Sequence, residues 1–125
     1  MAQDYVPEVT ASMGVTDLDR SIAWYGDVLG FKLLYRADEI GWCEMSTGVP
    51  GVNVGLSQNE SVAQGGGATN VWAVKDIVAA KAALDAAGVR QDGDIRHIPG
   101  LVKLITFYDP DGNAMMLSES LMDAA

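Results

Sequence analysis

One histidine and one cysteine set the first limit on what these side chains can do. His97 stands just before Pro99-Gly100; an imidazole there can shuttle protons near neutral pH, although the context reads as a surface hairpin. Cys43 excludes an intrachain disulfide and any all-thiolate metal site within one chain. Between Trp42 and Glu44 it reads as a small buried thiol in a strand more readily than as a nucleophile. Glu44 in the same strand is a candidate general base, or an anchor for a cation, against the alternative of a solvated strand face. Trp42 is a candidate stacking surface for a planar ligand. Tyr108 is a further candidate for proton transfer. Lys103, the one charge in the run from Leu101 to Tyr108, could meet an anion but reads as a snorkelling side chain. Glu119, at the end of the last apolar run, reads as exposed.

The bulk properties narrow the partners. A net charge of −9 over 125 residues repels phosphate backbones, so no nucleic-acid partner is expected, whereas a cationic small molecule would be attracted. Charged residues interrupt every apolar run well short of a membrane span. The first residues lack a basic stretch followed by an apolar one, so no signal peptide is read and a cytoplasmic location is the expectation.

The elements that must position these residues come from a repeat. Val15-Thr16-Asp17-Leu18 and Val74-Lys75-Asp76-Ile77 lie 59 residues apart, and each passes from an apolar run through Asp into a helical pattern. Asp17 and Asp76 suit N-caps. The spacing predicts helices over residues 18–29 and 77–87, stopped by Gly30 and Gly88. One strand precedes each helix (9–15 and 68–74). Three follow the first (31–36, 41–47, 52–57) and three the second (94–98, 101–108, 114–118), with turns at Val49-Pro50-Gly51, Pro99-Gly100 and Asp109-Pro110-Asp111-Gly112. The chain therefore reads as a single α+β domain of two βαβββ modules. The first spans about residues 6–58 and the second about 68–120, joined by a polar linker (59–67) that contains Gly65-Gly66-Gly67.

On these residues the chain resembles a known family. Val15-Thr-Asp-Leu-Asp-Arg-Ser-Ile-Ala-Trp-Tyr25, followed by Val28-Leu-Gly-Phe31, is similar to the first-helix signature of the vicinal oxygen chelate superfamily, which holds the glyoxalase, bleomycin-resistance and dioxygenase proteins. Asp109-Pro-Asp-Gly-Asn113 is similar to its last hairpin. The resemblance implies two modules curled into an open cup that holds a small molecule, helices outside, and commonly a homodimer.

The resemblance also implies where metal-dependent members place His, Glu or Gln ligands. Here those positions carry Thr10, Gly55, Thr69 and Met116. Neutral hydroxyls coordinate weakly, a thioether prefers soft metals, and a non-haem iron site takes two His. No metal and no cofactor are therefore expected. Strand alternation adds Ser12 and Asn53 to the inward face of the first module and Val71 to that of the second. With Trp42 and Glu44 these form the expected ligand-binding set; Glu44 and His97 are the weak catalytic candidates. The resulting expectation is a metal-independent binder of an aromatic or cationic, antibiotic-like small molecule. Two alternatives stay open: a metal-free enzyme using Glu44, His97 or Tyr108, and a lyase, isomerase or dioxygenase with a non-standard metal site.

Overall fold

The computed structural model describes residues 3–64 and 68–122, so Gly65-Gly66-Gly67 of the expected linker lie outside the described residues. The chain divides into two compact units, Met1–Ala63 and Gln64–Ala125. The first runs β1 (Val9–Val15), α1 (Leu18–Leu29), β2 (Lys32–Ala37), a 3-10 turn (Asp38–Ile40), β3 (Trp42–Ser46) and β4 (Val52–Gln58). The second runs β5 (Asn70–Ala73), α2 (Ile77–Ala86), β6 (Arg96–Ile98), β7 (Val102–Tyr108) and β8 (Ala114–Ser120). Each unit is thus a βαβββ module with a four-stranded sheet, in the orders β1-β4-β3-β2 and β5-β8-β7-β6. In each, the first strand lies parallel to the last, and the remaining pairs are antiparallel. The repeat extends to register: Ser12 pairs with Gly55 on β4, and Val71, 59 residues on from Ser12, pairs with Met116 on β8.

Local chemistry fixes the helix ends. The Asp17 carboxylate accepts from the Arg20 N–H and that of Asp76 from the Ala79 N–H, each at 3.1 Å. Gly30 ends α1 at φ 75°, a left-handed conformation that costs glycine little. A second cap comes from far away in sequence. The Leu18 N–H donates to Gln58 Oε1 and the Ile77 N–H to Glu119 Oε1, both at 2.9 Å. Each module therefore turns the end of its last strand onto its own helix N-terminus, where the first N–H groups have no intrahelical partner. Glu119 is thereby corrected from an exposed strand end to a half-buried cap. Glu119→Ala is expected to lower stability in urea unfolding by about 1 kcal/mol. Glu119→Gln keeps the acceptor, as Gln58 does in the first unit, and should lose less than half of that.

The apolar side chains gather on the helix side of each sheet. In the first unit Val15, Cys43, Met45, Val54 and Leu56 are buried with Leu18 and Tyr25 of α1. Tyr25 passes its hydroxyl to the Met13 sulfur at 3.5 Å, which places α1 against this face. In the second unit Ile105, Phe107, Met115 and Leu117 are buried with Ile77 and Leu84 of α2. The alternate residues of every strand form a helix-free face. Among the described residues no helix is long and apolar enough to cross a membrane.

Candidate functional site

The helix-free face of the first unit holds every residue expected there. Thr10 pairs with Asn53, Ser12 with Gly55, Glu44 with Gly55 and Trp42 with Ser57, so all project from the side opposite α1. Thr10 and Ser12 are exposed, whereas Trp42, Glu44 and Asn53 are half-buried. Glu44 is the hub. Its Oε2 accepts from Asn53 Nδ2 at 3.0 Å, and its Oε1 accepts from the Tyr35 hydroxyl at 3.3 Å. The Tyr35 oxygen in turn accepts from the indole N–H of Trp42 at 3.1 Å. A carboxylate offers about four acceptor sites, so two remain open on Glu44.

Two backbone features build this arrangement. A register shift in β2 between Leu33 and Tyr35 sets Tyr35 opposite Glu44. Gly55 leaves room for the six-membered ring of Trp42, which occupies the place where a Cβ would stand. Cys43 lies on the other face, wholly buried. Burial pushes its thiol above the usual range, so at neutral pH it stays protonated and is a poor nucleophile.

In the second unit Val71 pairs with Met116 and Thr106 with Met116 on the helix-free face. Thr69 sits exposed just before β5. A cavity of about 220 Å³ opens on this face, lined by Leu104, Thr106, Met116 and the charged Asp92, Asp94 and Arg96. Tyr108 donates to Asp92 Oδ2 at 2.6 Å, and the Arg90 guanidinium lies 4.0 Å above the Tyr108 ring. The hydrogen bond to Asp92 raises the phenol's pKa, which makes Tyr108 a neutral donor rather than a base. His97 is exposed, pairs with Lys103 and alternates with Arg96, so it shares the face of Ile105 and Phe107. The fold does not bring His97 to the face of Met116.

The positions that the resemblance assigns to metal ligands do not fit a hard or borderline divalent ion. Thr10 and Thr69 offer neutral hydroxyls, Met116 a soft thioether, and Gly55 nothing. The Trp42 ring also fills the space a ligating side chain at residue 55 would need. Among the described residues no three His, Cys, Asp or Glu side chains are grouped so as to hold a metal ion.

Sequence reasoning missed Tyr35, because the strand bulge that aims it carries no strong local signal. It also missed Asp92, Asp94 and Arg96, although four charges at alternate positions from Arg90 to Arg96 were a signal that could have found them.

Two repeated modules with this strand order define a glyoxalase-type α+β protein. The chain belongs to the Glyoxalase/Bleomycin resistance protein/Dioxygenase superfamily, whose family model matches residues 8–117. A comparison with curated proteins finds no match. Among solved structures, a glyoxalase family protein from Bacillus anthracis is similar at a TM-score of 0.78 and 17% identity, covering 96% of this chain and 99% of that one. The fosfomycin resistance protein FosX from Listeria monocytogenes is similar at 0.79 and 15%, covering 96% and 95%. TnmS3, an antibiotic binding protein from Streptomyces sp. CB03234, is similar at 0.72 and 23%, covering 96% and 98%. These identities speak to the fold.

Proposed function

We propose that this protein binds a planar, cationic small molecule on the helix-free face of its first unit, without a metal, and sequesters it rather than transforming it. The observation that carries this reading is the half-buried Glu44 carboxylate, held by Tyr35 and Asn53 beside the Trp42 indole. A fixed carboxylate next to an aromatic ring suits a flat cation: the ring supplies stacking and cation–π attraction, and Glu44 supplies the countercharge. The net charge of −9 favours approach of such a ligand. Binding without turnover is the reading we favour because the Glu44 carboxylate is engaged by Tyr35 and Asn53 and the Tyr108 hydroxyl by Asp92. The antibiotic-binding relative TnmS3 supports a sequestering role by analogy of fold. The family resemblance extends the proposal to a cytoplasmic homodimer.

Proflavine, a flat aromatic cation, is a direct probe. Titration calorimetry is expected to show binding that weakens about tenfold or more in Trp42→Ala, since stacking and cation–π contacts are each worth roughly 1 kcal/mol or more. Glu44→Gln should weaken proflavine while leaving a neutral isostere such as anthracene-9-methanol unaffected. Equal affinity of wild type and both variants would remove the proposal.

A further inference from the structure

The sequence holds two Asp-Gly pairs, Asp92-Gly93 and Asp111-Gly112. Such a pair carries a latent reaction, because glycine has no Cβ to keep its amide nitrogen away from the carboxyl group of the preceding aspartate. The fold treats the two pairs in opposite ways. Asp111-Gly112 sits in the hairpin before β8 and is tied down. The Asp111 N–H donates to Asp109 Oδ1 at 2.9 Å, and the Gly112 N–H donates to the Asp109 carbonyl at 3.0 Å. The Gln64 amide donates to the Asp111 carbonyl at 3.0 Å, and its side chain fills the place where a Cβ on Gly112 would stand. Asp92-Gly93 sits in the bend before β6, with both residues exposed. The Asp92 N–H donates to the Thr106 carbonyl at 3.0 Å, which fixes the aspartate backbone. Beyond it the ties stop. Among the described residues the Gly93 N–H has no hydrogen-bond acceptor, and the place of a Cβ on Gly93 faces open space. Tyr108 engages only one oxygen of the Asp92 carboxyl group, Oδ2, at 2.6 Å.

From this we infer that Asp92 is a site of spontaneous isomerisation to isoaspartate, and that the fold protects Asp111 from the same reaction. The Gly93 nitrogen attacks Cγ of the Asp92 side chain in its acid form. The N–Cγ bond forms, a Cγ–O bond breaks, and the amide proton leaves with the hydroxyl as water, closing a five-membered succinimide. Water then adds to one of the two ring carbonyls. Opening at Cγ returns aspartate. Opening at the Asp92 backbone carbonyl carbon breaks its bond to the Gly93 nitrogen and leaves isoaspartate, with the chain now running through Cβ and Cγ. Water is lost and regained, so the reaction needs no co-reactant. The attacking nitrogen must give up its proton and turn toward the side chain into a near-attack geometry. Gly93 has room to turn and an N–H open to solvent. At Gly112 the proton is held by Asp109, and Gln64 blocks the turn. The product changes a lined surface, because Asp92 borders the cavity of the second unit with Asp94 and Arg96. In isoaspartate the free carboxylate stands directly on Cα, and Tyr108 loses its acceptor. No part of this inference depends on the Trp42 reading.

Folded protein kept at neutral pH for weeks, then digested and mapped by electron-transfer mass spectrometry, reads both sites in one sample. Isoaspartate at residue 92 should exceed that at residue 111 by at least about tenfold, the scale on which lost near-attack geometry slows a reaction. In 18O-labelled water the aspartate recovered at residue 92 should also gain label, since reversal passes through the same succinimide. The same chain kept in concentrated urea should isomerise at both pairs to a similar extent, because the ties that protect Asp111 are then gone. Asp92→Glu, whose ring would have six members, should stay unmodified at residue 92, with dispersed NMR spectra verifying its fold. Equal yields at residues 92 and 111 in the folded protein would overturn the inference. So would isoaspartate at residue 111 alone, or none at residue 92 where the urea-treated chain forms it.

Discussion

Gly55→Leu is expected to expel the Trp42 ring from the helix-free face of the first unit and to abolish proflavine binding. A side chain at residue 55 must enter space the indole already holds, and the indole is tethered by its N–H to Tyr35. Overpacking of this kind costs about 1–3 kcal/mol. The cost should be specific to the pair. In a Trp42→Ala background the space is free, and the same Gly55→Leu change should cost far less, giving a coupling of at least about 1 kcal/mol in a double-mutant cycle. Additive effects in urea unfolding would show that the ring does not rest where the structure puts it. The same experiment bears on metal binding, because a ligating side chain at residue 55 would meet the same obstacle.

The largest effect on stability is expected from Tyr25→Ala. Tyr25 is wholly buried at the centre of α1, edge-on to Trp24 with ring centroids 4.9 Å apart and stacked on Phe31 at 6.1 Å. Truncating a buried aromatic costs about 3–5 kcal/mol through lost transfer energy and the cavity left behind. A domain's total stability is only about 5–15 kcal/mol, so the first unit should be close to unfolding at room temperature. Tyr25→Phe separates the ring from the hydroxyl. It gives up the hydroxyl's contact to the Met13 sulfur while keeping the ring, and should cost under about 1 kcal/mol by urea unfolding. A small loss in Tyr25→Ala would mean that α1 is not anchored to its sheet through this residue. In the second unit the residue 59 positions on is Leu84, also buried, so the same anchor is made there by an aliphatic side chain.

Much of this architecture was legible in the sequence because its signals are local. The ends of α1 match the expected 18–29, since Asp17 caps one end and Gly30 turns the other. The inward face of the first unit was legible because strand side chains alternate with period two, which put Thr10, Ser12, Asn53 and Gly55 on one side. The strand expected over 94–98 is shorter, Arg96–Ile98. The preceding residues instead meet β7 through a single bridge between Gln91 and Phe107 and then bend at Gly93. The residues around that bend, Asp92, Asp94 and Arg96, line the cavity of the second unit, and their alternating charges were the one local sign of it. The helix caps by Gln58 and Glu119 join residues 40 and 42 apart, beyond the reach of any local pattern. The network around Glu44 needed the bulge in β2 and the cross-strand register of β3 and β4, both tertiary facts. His97 was expected at the surface and is exposed, while the side of the sheet it takes follows from its pairing with Lys103, a tertiary fact.

The central claim is that ligand recognition rests on Trp42 and Glu44 and needs no metal. Its most direct test is calorimetric titration of proflavine into protein stripped with EDTA, and into the same protein after loading with zinc, nickel or manganese. Affinities equal within about twofold, with Trp42→Ala weakening both alike, are the predicted result. Binding that appears only after one equivalent of metal has been taken up would contradict it.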